Sequence, residues 1–252
     1  MHGQELEKMI NASTLSFASQ NLIKERALQK RIDSKFLFHT DAFKDVLTFF
    51  EDEYALVKAK TRYVADYQTL YLDTDDFCCL RDHHRGCRPR YKFRFRHYAD
   101  RETTFFEVKT KTPANRTRKK RMQVEYRQED LGPEQCAFVE KHSPMQASML
   151  KAALRIDFSR VMLVGVERME RVTFDINFRV EEGSRRAAFP QVVIAELKQE
   201  HFIARSPMML ALRSYGHRIS SMSKYCVASM LMRPEVLLQR YKPTLRALRR
   251  IS

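Results

Sequence analysis

The chain has 252 residues, 44% of them hydrophobic and 31% charged, and a formal net charge of +15. That length allows one large domain or two small ones with a substantial core, and no run approaches the roughly 18 apolar residues of a membrane span. With six glycines and neither a GxxxxGK(S/T) nor a GxGxxG run, a glycine-rich phosphate loop is excluded, so any phosphate must be held by side chains.

Residues 1–28 are polar with weak periodicity and read as a tail or a short leading helix. The acidic start, Met1 to Glu7, has no apolar core and indicates no signal peptide. From 29 to 239 the pattern is that of a single folded domain. Its first strand, Arg31 to Phe38, alternates Arg31, Asp33 and Lys35 with Ile32, Ser34 and Phe36. Thr40 or Asp41 then caps a helix whose apolar stripe is Phe43, Val46, Leu47, Phe50 and Tyr54. Tyr63 to Leu72 is the next strand, and a loop to Arg90 carries Cys78, Cys79, His83, His84 and Cys87. Those are zinc-ligand types, but their spacing fits no familiar site, so a polar loop with buried thiols is expected. The five cysteines, odd in number and without CxxC, point to a reduced, cytoplasmic chain.

Arg90 to Tyr98 alternates basic and aromatic residues at strand period, placing Arg90, Lys92, Arg94 and Arg96 on one face. Thr103 to Lys111 pairs with it as a hairpin and adds Glu107, Lys109 and Lys111 to an ionic face. Asn115 to Arg121 is a basic cluster leading into a strand from Met122 to Tyr126. The window Arg81–Arg121 holds 15 Lys and Arg against 4 Asp and Glu, which is +11 of the whole +15. Helices are expected after Gly132-Pro133 and from Met145 to Ala153. Strands follow at Arg155–Val164 and Glu170–Val180, the latter with Arg171, Thr173, Asp175, Asn177 and Arg179 on one face. Gln191–Lys198 is another strand, with Glu196 and Lys198 together. A helix from Pro207 ends at Gly216, Ser223-Lys224-Tyr225 precedes a last helix, and 240–252 is a basic, solvated tail.

At least five strands thus pair an ionic face with an apolar one, and burying unpaired charge costs several kcal/mol per ion. An α+β fold satisfies all of them at once: a closed antiparallel β-barrel of about eight strands, clad by helices, whose wet lumen is a tunnel of cations. Arg forks grip phosphate oxygens and Lys adds point charge, so Arg90, Lys92, Lys111 and Lys198 are phosphate-binding candidates. A lone glutamate or two, Glu107 among them, can hold Mg²⁺ or Mn²⁺ beside substrate phosphates.

From Arg31 to about Leu231 the chain resembles the polyphosphate polymerase domain of the vacuolar transporter chaperone (VTC) family, a triphosphate-tunnel fold. The motifs that carry the likeness are Arg31-x-Asp33-x-Lys35-Phe36, Tyr71-Leu-Asp73-Thr74, Arg90-x-Lys92-x-Arg94-x-Arg96-x-Tyr98, Phe106-Glu107-Val-Lys109-x-Lys111, Lys119-Lys-Arg121, Phe158-x-Arg160, Glu170-Arg171-Val-Thr173-x-Asp175, Glu196-x-Lys198 and Ser223-Lys224-Tyr225. The resemblance implies that Arg94, Arg96, Lys109, Arg160, Arg171 and Lys224 are the catalytic cations and that Lys35 binds nucleotide phosphates. It places Lys120 and Arg121 near a further basic position and Glu196 on the metal-holding glutamate. Asp33 stands where the family usually has Glu, and Phe158 where it usually has Tyr.

The implied reaction is metal-dependent transfer of the γ-phosphoryl of ATP to a growing polyphosphate chain, with Mn²⁺ or Mg²⁺ as cofactor and ATP and polyphosphate as partners. A tunnel triphosphatase is the second expectation. A non-catalytic polyanion-binding module is the third, with no nucleic acid expected because most aromatics alternate away from the cations. A membrane-protein partner, or contact of the basic tail from Arg240 with acidic lipid or with the product, stays open.

Overall fold

The computed structural model describes residues 3–11, 13–28, 31–49, 52–236 and 239–251. In chain order the strands are β1 (Ile32–His39), β2 (Tyr54–Leu56), β3 (Val64–Asp73), β4 (Arg90–Tyr98), β5 (Thr103–Lys111), β6 (Thr117–Val124), β7 (Lys151–Gly165), β8 (Glu170–Glu182), β9 (Arg185–Phe189) and β10 (Val192–Gln199). The helices are α1 (Gly3–Asn11), α2 (Gln20–Glu25), α3 (Asp41–Thr48), α4 (Cys78–Arg85), α5 (Pro133–His142), α6 (Pro207–Ser214), α7 (Lys224–Met232) and α8 (Lys242–Ile251). No helix among the described residues is long and apolar enough to cross a membrane.

All strand pairs are antiparallel. The sheet runs β1-β10-β8-β7-β3-β4-β5-β6, with β2 added on β7 and β9 on β8. Among the described residues β1 and β6 share no ladder, so the expected hydrogen-bonded closure is corrected to an open seam. The β6 sequence, Thr-Arg-Lys-Lys-Arg, explains why an edge survives there. Repelling cations along a strand discourage another strand from pairing with it.

The sheet sorts its residues as alternation dictates. On one face Phe36, Phe38, Phe174, Ile176, Val193, Ala195 and Leu197 pack under α1, α3 and α6, against Leu6, Ile10, Phe43, Val46, Met208 and Leu212. Farther along that face, Phe93, Phe95, Phe106 and Val108 meet Val139 of α5. The opposite, ionic face is partly filled by α7 and α8, whose Tyr225, Val227 and Leu248 pack with Leu37, Tyr67, Tyr71, Phe158 and Ile194.

Several local expectations are corrected. The Cys/His-rich stretch is not a loop: Cys78–Arg85 forms α4, with the buried Cys79 and Leu80 on its inner side. Tyr54 belongs to β2 and not to the helical stripe, because the helix ends at Thr48; Phe50 lies outside the described residues. Met145–Ala153 is not a helix but a 3-10 turn at Ala147–Met149 running into β7. Residues 1–28 hold short helices, α1 and α2, with Leu6 and Ile10 buried, and 240–252 is corrected from a solvated tail to α8, whose Leu245, Leu248 and Ile251 fall at i, i+3 and i+6 on one helix face, Leu248 being fully buried.

In β8 the alternation breaks. Asn177 adopts a left-handed φ of 56°, and the β7/β8 register shifts between Asp157 and Ser159, the signature of a bulge. Past it, Phe178 and Val180 turn into the ionic-side core. Arg179 therefore pairs opposite Asp157 and leaves the face that holds Asp175.

Candidate active site

The site is assembled from strand register. Cross-strand partners share a face, so Arg94, Glu107 and Arg121 lie side by side across β4, β5 and β6, as do Lys92, Lys109 and Lys119 in the next row and Arg90, Lys111 and Thr117 beyond. On the other wall Lys35 faces Glu196, which faces Thr173, while Lys198 faces Asp33 and Arg171. Arg160 faces Asp175.

Three buried carboxylates organise these cations. Glu107 accepts from Arg94 Nε (2.7 Å) and Nη2 (2.5 Å) and from Lys119 Nζ (3.0 Å), using both oxygens. Burial pulls its pKa up, but Arg94, Arg96 and Lys119 outweigh that and hold it well below the usual carboxylate range. Asp175 takes Arg160 in a fork, at 2.5 and 2.8 Å, and also accepts from Lys224; against burial, the two cations bring its pKa down to about 2. Among the described residues Glu196 is paired with Lys198 alone, at 3.2 Å through one oxygen. Its pKa too is held well below normal against burial, by Lys198, Lys35, Lys109 and Lys224, which brings cations from β1, β5, β10 and α7 into one array.

Aromatic rings floor the array. Arg160 lies 4.8 Å from the Tyr67 ring centroid and 5.2 Å from that of Phe158, and Lys224 is 4.8 Å from Phe158. The phenyl face is the part used, so the absent hydroxyl at Phe158 removes nothing from this contact. Arg94 Nη1 donates to Tyr71 Oη at 3.2 Å. Burial raises the Tyr71 pKa, but Arg94, Arg96 and Lys92 bring it down to about 8.

Beside the ion-paired layer lies a cavity of about 540 Å³, lined by Lys35, Arg90, Lys92, Lys109 and Lys111 and crossed by the segment Ile219–Ser223. Lys35 Nζ donates to the Met222 carbonyl at 2.7 Å and Lys92 Nζ to Ser223 Oγ at 3.0 Å. Lys109 forms no hydrogen bond or ion pair among the described residues; burial and then Lys35 lower its pKa to about 7. Burial, Lys92 and Arg90 push His83 far down, keeping it neutral, and its Nδ1 accepts from Arg90 Nε at 3.0 Å.

Of the residues expected from sequence, Lys35, Arg90, Lys92, Arg94, Lys109, Lys111, Arg160, Glu196, Lys198 and Lys224 converge here. Arg96 adjoins them, donating to Thr69 Oγ1 at 3.2 Å. Arg171 is the outlying member, its Nε directed at Met162 Sδ at 3.1 Å, and Arg121 stacks over Phe105 at 4.6 Å. Lys120 is corrected: it sits opposite Val108, on the apolar face of the sheet. The site cation of that cluster is Lys119, which counting the β5/β6 register from Glu107 identifies. The motif residue Asp175 takes the part of a double counter-ion, the motif residue Tyr71 accepts from Arg94, and His83, of zinc-ligand type in the sequence, instead accepts from Arg90.

The metal ligands divide. Glu107 does not fit one, since both its oxygens are engaged by cations. Glu196 fits, with one oxygen unpaired in a site where added phosphates would supply further oxygens. No group of three or more His, Cys, Asp and Glu that could hold a metal by itself occurs among the described residues, which includes the Cys/His stretch of α4.

The antiparallel sheet with its cations gathered on one face has a fold counterpart among solved structures. An adenylate cyclase candidate from Bacillus halodurans superposes with a TM-score of 0.50 at 13% identity, covering 77% of this chain and 94% of that one. HpAC1 from Hippeastrum, described as having a dominant triphosphatase activity, gives 0.45 at 16%, covering 83% and 99%. PH1819 from Pyrococcus horikoshii gives 0.43 at 14%, covering 78% and 95%. Residues 30–233 match the VTC domain, and the chain belongs to this family. A comparison with curated proteins finds no match.

Proposed function

We propose that the protein is a polyphosphate polymerase, transferring the γ-phosphoryl group of ATP to the end of an inorganic polyphosphate chain and releasing ADP, with Mn²⁺ or Mg²⁺ as cofactor. The observation that carries this reading is the excess of fixed cations over carboxylates on one concave face of a VTC-family sheet. Phosphoryl transfer asks a protein mainly for positioning and charge neutralisation, and a terminal phosphate needs no base to become a nucleophile.

In this reading Arg94, Arg160 and Lys224 are pre-set by Glu107 and Asp175, so their donors are in place before substrate arrives. Lys35, Lys92 and Lys109 contact phosphate oxygens from the cavity side. Tyr67 and Phe158 hold the Arg160 guanidinium flat beneath the transferring group. Glu196 is the residue that would hold the divalent ion, which when bound neutralises charge on the bridging phosphates.

Incubation with ATP and Mn²⁺ or Mg²⁺, with products resolved on a gel, should yield long polyphosphate. Release of only ADP and free phosphate overturns the polymerase in favour of hydrolysis in the same site. Glu196→Gln should lower turnover by about 10²-fold, the scale of losing one preorganised electrostatic contact, while leaving the thermal midpoint near that of the parent; retained activity would remove the metal assignment.

A further inference from the structure

The cations of the site fall into two zones with different charge balance. Along β4, Arg96, Arg94, Lys92 and Arg90 repeat at every second residue, a ladder of about 20 Å at strand rise. The Arg96/Arg94 end holds Glu107, the partner of Arg94, and Arg96 shares the Tyr67 and Phe158 rings with Arg160, the partner of Asp175; Glu196 acts on Lys35 and Lys109 between the two zones. At the Lys92/Arg90 end, the cavity lining contains one carboxylate, Asp33, and that is already paired with Arg31 at 3.1 Å.

Two further arginines stand at the mouth of this unbalanced zone. Arg88 follows the turn that ends α4, and Arg240 precedes α8; both line the cavity, and both are exposed. Neither forms an ion pair or hydrogen bond among the described residues. Arg240 is held by its surroundings: Tyr241 is buried and stacks on His83 at 6.2 Å. A Cβ on Gly86 would lie 3.7 Å from Arg240 Nη1, so the guanidinium rests over that backbone. Burial, and then repulsion from Arg240 and Arg88, depress the Arg90 pKa; burial, and then Arg90 and Arg88, do the same at Lys111. Arg240 also lies beyond residue 233, where the family match stops, whereas Arg88 lies within it, so the rim joins a matched and an unmatched segment.

We infer that the cavity mouth is a chain-length subsite, in which Arg88 and Arg240 grip phosphates of an inorganic polyphosphate chain that extends past the three nearest the ion-paired layer. The inference rests on the polyphosphate reading of the site. Forked guanidinium groups suit it, because each can take two oxygens of one phosphate. A zone without balancing carboxylates suits an anion that arrives without its own metal.

The test is equilibrium binding, without ATP or turnover, of tripolyphosphate and of long-chain polyphosphate to the parent and to the Arg88→Ala/Arg240→Ala variant. Both residues are exposed, so the variant should fold as the parent does, and its melting curve checks this. The variant should lose about tenfold or more in affinity for the long chain and less than about threefold for tripolyphosphate. Two lost contacts should also flatten the logarithmic salt dependence for the long chain by about 1.4, using the single-strand coefficient. Equal losses for both ligands, or no loss for either, overturn the inference. So does parental affinity for single-stranded RNA of similar charge that matches the polyphosphate value. Hydrolysis in place of polymerisation would remove the proposed function and leave this binding difference standing, whereas a parent that binds neither ligand removes both.

Discussion

Asp175 has no exposed side-chain surface, yet it balances both Arg160 and Lys224. Removing one partner of a buried ion pair leaves uncompensated charge and costs about 3–5 kcal/mol. Asp175→Asn should therefore lower unfolding stability by that order in denaturant titration, and saturating tripolyphosphate, which brings negative charge back to the same cations, should restore much of the loss. An equal loss with and without ligand would show that the two cations do not meet phosphate. Lys109 gives the opposite kind of test. Its folded pKa, about 7, lies below its ordinary value of 10.5, so between these limits the unfolded chain binds the proton that the folded chain has released. Its penalty to the free protein is complete below pH 7 and disappears as pH rises toward 10.5. A bound polyanion favours the protonated amine, so tripolyphosphate affinity should fall as pH rises through 7. At pH 8 binding should take up about one proton, read from calorimetry in buffers of different ionisation enthalpy. Absence of uptake, or uptake unchanged in Lys109→Met, would sink the assignment.

At the scale of elements, the motif residues Asp73 and Tyr225 turn out to join two helices. The Asp73 carboxylate accepts from the backbone N–H groups of Thr74, Cys79 and Leu80 at 2.8–3.0 Å, satisfying the free start of α4, and it also accepts from the Tyr225 hydroxyl on α7. Tyr225 stacks on Tyr71 at 4.9 Å and follows Lys224, so the same contact seats the lysine. Tyr225→Phe should cost about 1–3 kcal/mol in urea titration and weaken tripolyphosphate binding with it; an unchanged midpoint would mean that α7 is held by packing alone. That link spans about 150 residues and has no local signature, which is why the two motifs were visible in sequence while their connection was not. Where a strand is regular, alternation was enough: β4, β5 and β10 present the cations expected of them. It failed at Asn177, where one left-handed residue reverses the parity of everything after it, and in the Cys/His stretch, where the inner side of α4 joins two adjacent buried residues, Cys79 and Leu80, to the polar His83 and so shows no apolar stripe. Lys119 and Lys120 differ only in parity, and the register that separates them is set by the β5/β6 pairing, a long-range choice.

Across the whole molecule, a net charge of +15 is gathered toward one open-seamed sheet, so the free protein folds against its own repulsion. Many of the responsible cations, including Arg94, Arg160 and Lys224, are buried with counter-ions, while Arg88, Lys109, Lys111 and Arg240 form no ion pair among the described residues. A ligand that supplies the missing negative charge should thus act as a strong stabiliser. At a concentration 1,000 times its Kd, a ligand that binds only the folded chain contributes about 4.1 kcal/mol. For a chain of this length each kcal/mol moves the thermal midpoint by about 2–4 °C, so saturating tripolyphosphate should raise Tm by about 8–16 °C. The shift should shrink steeply with added salt, because exposed cations are screened within about 10 Å at 0.1 M, and it should be smaller for phosphate, which spans too little of the β4 ladder to reach several rungs at once. A midpoint that moves equally with phosphate and with tripolyphosphate would mean that the cations act as separate sites and not as one continuous channel for a chain.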